Sequence, residues 1–262
     1  VSALRRTSRP VYQQIADELR DAISGDGIGP DGRLPTEAEL VERYGVTRGT
    51  VRQALAVLVN EGLVVSDRPR GYFVRRRRHM TYRPQQELLV TDGAPAMDRF
   101  HRSVAEEGRT PSQTIDVSIV VPPREIATRL RLNAGETAAV RRRVRSIDGE
   151  PFNINDSYYP LSIVQGSEIV LPHDIARGAN RVLAELGHRQ VGLRHHLISR
   201  MPTPSERHRL QLSPGTPVTV HYLTGYTAEG IPVRAVENVL PGDRHEVLIE
   251  DGQVPPDNES ST

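Results

Sequence analysis

The stretch Thr47-Arg-Gly-Thr-Val-Arg-Gln-Ala-Leu55 constrains the fold of this chain more than any other. Read as a helix capped by Thr47, it places Val51, Ala54, Leu55 and Leu58 on one apolar stripe at i, i+3, i+4 and i+7. Arg48, Thr50, Arg52 and Gln53 project elsewhere, toward the N-terminal end of the helix. Such a helix must bury its back. Its Arg/Thr/Gln front suits a DNA major groove, where an arginine can donate two parallel hydrogen bonds to guanine O6 and N7. In isolation the same helix could equally present a solvated face, so its neighbours have to decide.

Upstream, Thr36-Glu-Ala-Glu39 has capping-box form, with Thr36 at the N-cap and Glu39 three residues on. Leu40, Val41 and Tyr44 supply apolar positions, and Gly45 breaks the run before the next helix. Helix, glycine-containing turn and helix form the helix-turn-helix layout, whose second member reads the groove. Earlier still, Pro10 suits a first helical position, and Tyr12, Ile15, Leu19 and Ile23 follow at helical spacing. After Gly62 ends the third helix, Leu63-Val64-Val65 and Tyr72-Phe73-Val74 read as two strands around the turn Asp67-Arg-Pro-Arg-Gly71. A hairpin with Arg70 and Gly71 near its tip is a wing, placed to meet phosphate or the minor groove.

The run Arg33-Leu-Pro-Thr-Glu-Ala-Glu-Leu40, then Tyr44 to Leu55, Glu61-Gly-Leu63 and Arg70-Gly-Tyr-Phe-Val74 resembles the N-terminal winged helix-turn-helix of GntR-family transcription regulators. The resemblance covers roughly residues 9–76. It implies double-stranded DNA as a partner and Arg33, Thr36, Thr47, Arg48, Thr50, Arg52, Gln53, Arg70 and Gly71 as the contact set.

Composition narrows what the rest can do. The chain has 262 residues and no cysteine, which removes disulfides, thiolate zinc sites and cysteine nucleophiles together. All 34 basic residues are arginine. Without lysine there is no Schiff base with pyridoxal phosphate and no P-loop lysine, so the aminotransferase chemistry of one GntR branch is excluded. No apolar stretch approaches the roughly 18 residues that span a bilayer, and no signal-peptide core is present, so a cytoplasmic location is expected. Net charge is +1, split as 14 Arg against 10 acids in residues 1–78 and 20 against 23 beyond. That asymmetry agrees with a DNA-binding first part without establishing it. Arg75-Arg-Arg-Arg78 follows the wing either as a basic arm touching phosphates or as a solvated linker.

Residues 77–97 lack a clear period and read as a linker with one short strand. A helix is expected from Asp98 to Glu107, ended by Gly108. Strand-like runs follow at Ile115–Val121, Ala138–Ile147, Phe152–Tyr159, Val191–Ser199, Pro217–Tyr226 and Val233–Leu240. Helical segments fall near Arg124–Leu130, Ile175–Leu186 and Pro204–Leu210. Turns at Asp148-Gly-Glu-Pro151 and Ala228-Glu-Gly-Ile-Pro232 make hairpins. The prediction is an α+β second domain, residues 98–250, around an antiparallel sheet, followed by a disordered polar tail over 251–262.

Arg143-Val-Arg-Ser-Ile-Asp-Gly-Glu-Pro151 and Asp156-Ser-Tyr-Tyr-Pro160 resemble the first hairpin of the UTRA effector domain. Tyr226-Thr-Ala-Glu-Gly-Ile-Pro-Val233 and Pro241-Gly-Asp-Arg244 resemble its last. With Leu186-Gly and the stretch from Arg200 to Gly215, this places the chain in the HutC-like branch. The resemblance implies a chorismate-lyase-like fold, a small-molecule effector and a homodimer.

It also implies a pocket lined by Arg143 and Arg145, with Arg99, Phe100, Asn155, Ser157, Tyr158 and Arg234 beside them. Two arginines two apart on a strand share a face and suit a carboxylate or phosphate, although an ordinary solvated strand face would look the same. The N-terminus of the helix after Asp98 could add an anion site. Arg234 and Asn155 stand where relatives commonly carry acids, and Arg99 where they often carry a small hydroxyl residue. These departures point to a more anionic or different ligand, or to a decayed pocket.

His195-His196 invites a metal reading, but neighbouring strand residues face opposite sides, so no metal or cofactor is expected. The expectation is therefore a dimeric, ligand-responsive repressor on a short inverted repeat, and not an enzyme. A chorismate-lyase-like enzyme and a constitutive DNA-binding repressor are the rivals.

Overall fold

The computed structural model describes residues 9–25, 27–29, 31–67, 69–75, 80–88 and 99–250. The chain divides into two compact units at residue 78, with Leu212–Pro217 grouped into the first.

Three helices and a hairpin build the first unit. Helix α1 (Val11–Ser24) follows Pro10, which stands at the N-cap. Helix α2 (Glu37–Tyr44) starts in a complete capping box: Glu39 donates its backbone N–H to the Thr36 hydroxyl, and the Glu39 carboxylate accepts from the Thr36 N–H. It ends at Gly45, whose φ of 64° is left-handed and lets the chain turn into the next helix. Helix α3 (Arg48–Asn60) is capped by the Thr47 hydroxyl.

The predicted stripe is the core of this unit. Val51, Ala54, Leu55 and Leu58 are fully buried, packed with Ile15, Leu19, Leu34, Leu40 and Val64. Arg20 of α1 bridges to Glu61 at the end of α3 through two hydrogen bonds of 3.1 and 2.8 Å. The wing is β1 (Val64–Asp67) paired antiparallel with β2 (Gly71–Val74), from Val64 opposite Val74 to Asp67 opposite Gly71. Gly71 has φ 118°, so a side chain there would be strained.

The second unit is organised by a six-stranded antiparallel sheet in the order β4-β5-β6-β9-β8-β7. Its strands are β4 (Pro111–Val120), β5 (Ala138–Ile147), β6 (Glu150–Pro160), β7 (Gly192–Arg200), β8 (Val218–Tyr226) and β9 (Pro232–Pro241). Helix α5 (Arg124–Leu130) covers one sheet face, where Ile126 and Leu130 pack on Val140, Tyr158 and Ala235. The opposite face meets α6 (Leu161–Val164), a 3-10 turn at Glu168–Val170 and α7 (Ala179–Glu185), through Val164, Ile169, Val182 and Leu183 against Ala139 and Tyr159. Helix α4 (Arg99–Glu106) packs Phe100 and Val104 on Ile147 and Phe152. Helix α8 (Pro204–Arg209) starts in a second capping box, at Thr203.

Most expected elements appear within a residue or two. Residues 80–88 differ. Read as a linker with one short strand, they form that strand as β3 (Met80–Tyr82), but pair it in parallel with β10 (His245–Val247) and add a 3-10 turn at Pro84–Leu88, neither of which was expected. A three-residue strand has too few positions to show alternation, and its partner lies 165 residues away in sequence. The expected tail over 251–262 and the cap at Asp98 lie outside the described residues.

Candidate functional site

Helix α3 exposes the Arg/Thr/Gln face that the sequence set apart from its buried stripe. The Arg48 and Arg52 side chains are 64% and 62% exposed, and Gln53 is exposed too. Thr47 and Thr50 engage each other through their hydroxyls at 3.0 Å. The sequence reading missed a carboxylate beneath the arginines. Glu37, in the first turn of α2, accepts from Arg52 Nε at 3.0 Å and stands 3.5 Å from Arg48 Nε. That hydrogen bond raises the Arg52 pKa further, so its guanidinium stays charged.

At the wing, Arg70 lies 5.3 Å from the Phe73 ring centroid and donates to Asp67 at 3.2 Å. Arg33 bridges to Phe73 through the backbone, beside the Gly71 turn. Thr36, by contrast, spends its hydroxyl on capping α2. Of the proposed basic arm, Arg76 to Arg78 lie outside the described residues.

In the second unit, strand alternation puts Arg141, Arg143 and Arg145 on one sheet face, opposite Ser157, Asn155 and Asn153 of β6. Arg143 Nη1 donates to Asn155 Oδ1 at 3.0 Å and to Ser157 Oγ at 3.4 Å. Arg145 lies over the Phe100 ring at 5.0 Å. Asn155 donates on to Asn238 of β9, which donates to Tyr82 Oη at 3.4 Å. Tyr82 Oη is 3.2 Å from His221 Nδ1, and His221 Nε2 is 2.9 Å from His195 Nδ1. Burial holds the His221 imidazole down to about 3, so it is neutral in this chain of hydrogen bonds.

Arg234, on the same face, donates to Asn180 Oδ1 at 2.9 Å and lies 3.7 Å from Glu87 Oε2. An acid therefore does accompany this cation, supplied by the 3-10 turn after β3 rather than by the last hairpin. Five polar participants escaped the sequence reading: Tyr82, Glu87, Asn180, His221 and Asn238. No local motif marks them.

Two expected members of the set need separate treatment. Tyr158 is 5% exposed and packs with Ile126, Leu130 and Val140 on the other sheet face. Adjacent to Ser157 on a strand, it must point away from Asn155 and Arg143, so it does not join them. Arg99 opens α4, but its side chain lies outside the described positions. His195 and His196 also face opposite sides, and no group of three or more His, Cys, Asp or Glu suited to a metal occurs among the described residues.

A three-helix unit with a wing and an exposed Arg/Thr/Gln helix face, followed by a sheet with a polar, arginine-bearing face, defines a DNA-binding regulator with a sensor domain. Residues 11–74 match the bacterial regulatory proteins of the gntR family, and residues 106–246 match the UTRA domain. The chain belongs to the GntR family of transcription regulators and carries a DNA-binding helix-turn-helix with an effector-binding UTRA domain.

Among curated proteins, the HTH-type transcriptional repressor NagR of Bacillus subtilis is 28% identical over 239 residues, 90% of this chain and 92% of that protein. The HTH-type transcriptional regulator Rv0792c of Mycobacterium tuberculosis is 27% identical over 240 residues, 89% and 82% of the two chains. A solved GntR-family transcriptional regulator superposes with a TM-score of 0.61 at 25% identity, over 94% of this chain and 99% of the other. PhnF from Mycobacterium smegmatis shares the fold, with a TM-score of 0.55 at 19% identity over 91% and 99%. No helix among the described residues is long and apolar enough to cross a membrane.

Proposed function

We propose that this protein is a homodimeric repressor that binds a short inverted-repeat operator and is released by a small anionic effector. Each winged helix-turn-helix reads half of the repeat, with Arg48, Thr50, Arg52 and Gln53 at base edges and backbone, and Arg70 and Gly71 at the wing. Repression has a precedent in the relative NagR, a named repressor. Two recognition helices related by a dimer axis require a pseudo-palindromic site.

The observation that carries the effector class is the grouping of Arg143, Arg145 and Arg234 on one sheet face. Asn155, Ser157, Asn180, Phe100 and the Glu87 carboxylate are among their neighbours. Guanidinia gathered on one face suit a carboxylate or phosphate, to which each can donate paired N–H···O bonds. Effector coupling of about 1–3 kcal/mol, or 5–150-fold in DNA affinity, is enough to empty an operator.

The test begins with sedimentation of the full chain at micromolar concentration, together with titration of duplexes carrying one or two half-sites drawn from its own upstream region. A dimer that prefers the two-half-site duplex at least tenfold is expected. A monomer that binds single half-sites as tightly would refute the dimer and operator reading. A screen of anionic metabolites against the operator complex then tests release.

A further inference from the structure

Helix α5 and the edge of the sheet line an open cavity of about 640 Å³ on the face opposite Arg143 and Arg145. Arg124 and Arg129 reach it from α5, Arg131 from the end of that helix, Arg194 from β7, and Thr224 and Tyr226 from β8. Arg194 and Thr224 are cross-strand partners, so their side chains form one floor.

The electrostatics are one-sided. Glu125 is the only acid lining the cavity, and it is taken by Arg129 at 2.8 Å. Arg124, Arg131 and Arg194 have no carboxylate partner among the described residues. Arg131 is instead steadied by donating to the Gly230 carbonyl at 3.0 Å, and Arg194 lies 5.4 Å from the Tyr226 ring centroid. Arg131 holds a left-handed backbone conformation, with φ 53°, at the end of α5.

A second observation points independently to a ligand. Thr224 is fully buried, lines the cavity, and its Oγ1 has no hydrogen-bond partner; Arg129 Nε is likewise buried and unpartnered. Buried polar atoms are nearly always hydrogen-bonded. An oxygen-rich anion in the cavity would give the hydroxyl an acceptor and the guanidinia their counter-charge together.

We propose that this cavity is a second ligand site, taking a small phosphorylated anion with at least two negative charges, on the sheet face away from the effector-facing arginines. Phosphate oxygens fit several converging guanidinium forks, each of which can donate two parallel bonds. The site stands whether or not Arg143 and Arg145 hold an effector.

The test is calorimetric titration of the full chain with inorganic pyrophosphate at fixed ionic strength. A saturable site that depends on Arg124 and Arg194 is expected, apart from any pyrophosphate taken by the Arg143 face. Arg124 and Arg194 are exposed at the cavity mouth, so Arg124→Gln and Arg194→Gln should leave the fold intact while each weakens pyrophosphate at least tenfold. Thr224→Val should weaken it as well, and Arg189→Gln, at an exposed arginine that does not line the cavity, should leave it within twofold. No saturable binding, unchanged affinity in both arginine variants, or equal weakening in Arg189→Gln would each overturn the proposal. Citrate binding as tightly as pyrophosphate would overturn the assignment to phosphate.

Discussion

The arginines of helix α3 and those of strand β5 carry the same charge in opposite circumstances. Arg48 and Arg52 are mostly exposed and share a carboxylate, Glu37. Arg143 sits half-buried and donates to neutral oxygens of Asn155 and Ser157. Arg141, one turn of the pleat away, is fully buried and donates to three main-chain carbonyls, of Ile169, Leu171 and His173, at 3.0, 2.7 and 2.6 Å. Surface pairs contribute little and exchange partners easily, so Glu37 leaves the α3 arginines able to take another acceptor. On the function proposed above, it is the partners of each arginine that separate reading DNA, sensing an effector and holding the fold together.

The largest effect expected from that contrast is structural. Arg141→Met should strand the buried Ile169 carbonyl and two part-buried ones, of Leu171 and His173, that now accept charge-assisted bonds, and so cost about 2–3 kcal/mol of stability. Urea denaturation monitored by circular dichroism measures it. A loss below about 1 kcal/mol would mean that water or a backbone shift replaces the guanidinium, and Arg141 would then join Arg143 as a candidate binding group.

Next comes Arg143. Each charge-assisted hydrogen bond lost costs roughly 1.5–3 kcal/mol. Arg143→Ala should therefore shift the effector titration at least tenfold and leave operator affinity in the absence of effector nearly unchanged. If operator affinity falls and the effector response survives, the division between sensing and reading drawn here is wrong. Arg52→Ala follows, with an expected loss of about 1–3 kcal/mol on the operator and a relaxed preference at one base pair per half-site. Equal weakening on operator and random duplexes would make Arg52 a phosphate clamp only.

The two regions also differ in how far their sequence could be read. The α3 face lies within two helix turns of contiguous chain, and its apolar back shows the period that buries it. Val51, Leu55 and Leu58 are buried where that period put them. The sensor face is assembled from β3, the 3-10 turn after it, β5, β6, α7, β8 and β9. Alternation within one strand placed Arg143 and Arg145 together, but no local pattern brings Tyr82, Glu87 or His221 to them. Tyr158 was open to the argument that separated His195 from His196, since it too is one residue from a neighbour on the required face. Its resemblance-based grouping with Ser157 overlooked the pleat. Glu37 escaped for another reason. In sequence it is an ordinary first-turn acid that favours the positive end of α2, and only the turn at Gly45 brings it beneath Arg52.

Glu37 supplies the smallest expected effect and the sharpest check on the comparison. Its carboxylate both orients Arg52 and places a negative charge close to where DNA phosphates would lie. Glu37→Gln keeps the size of the side chain and an oxygen acceptor while removing the charge. Binding to random duplex should then tighten by a few-fold, because one repulsive charge near the backbone is gone. Operator binding should change less, since the orientation that favours base edges is partly lost at the same time. The ratio of specific to random affinity therefore falls, by less than the tenfold that one misread base pair typically brings. Filter-binding titrations of both duplexes across a salt series measure that ratio directly. A ratio that stays constant while both affinities rise together would make Glu37 a bystander charge, and the arginines of α3 would need no carboxylate to aim them.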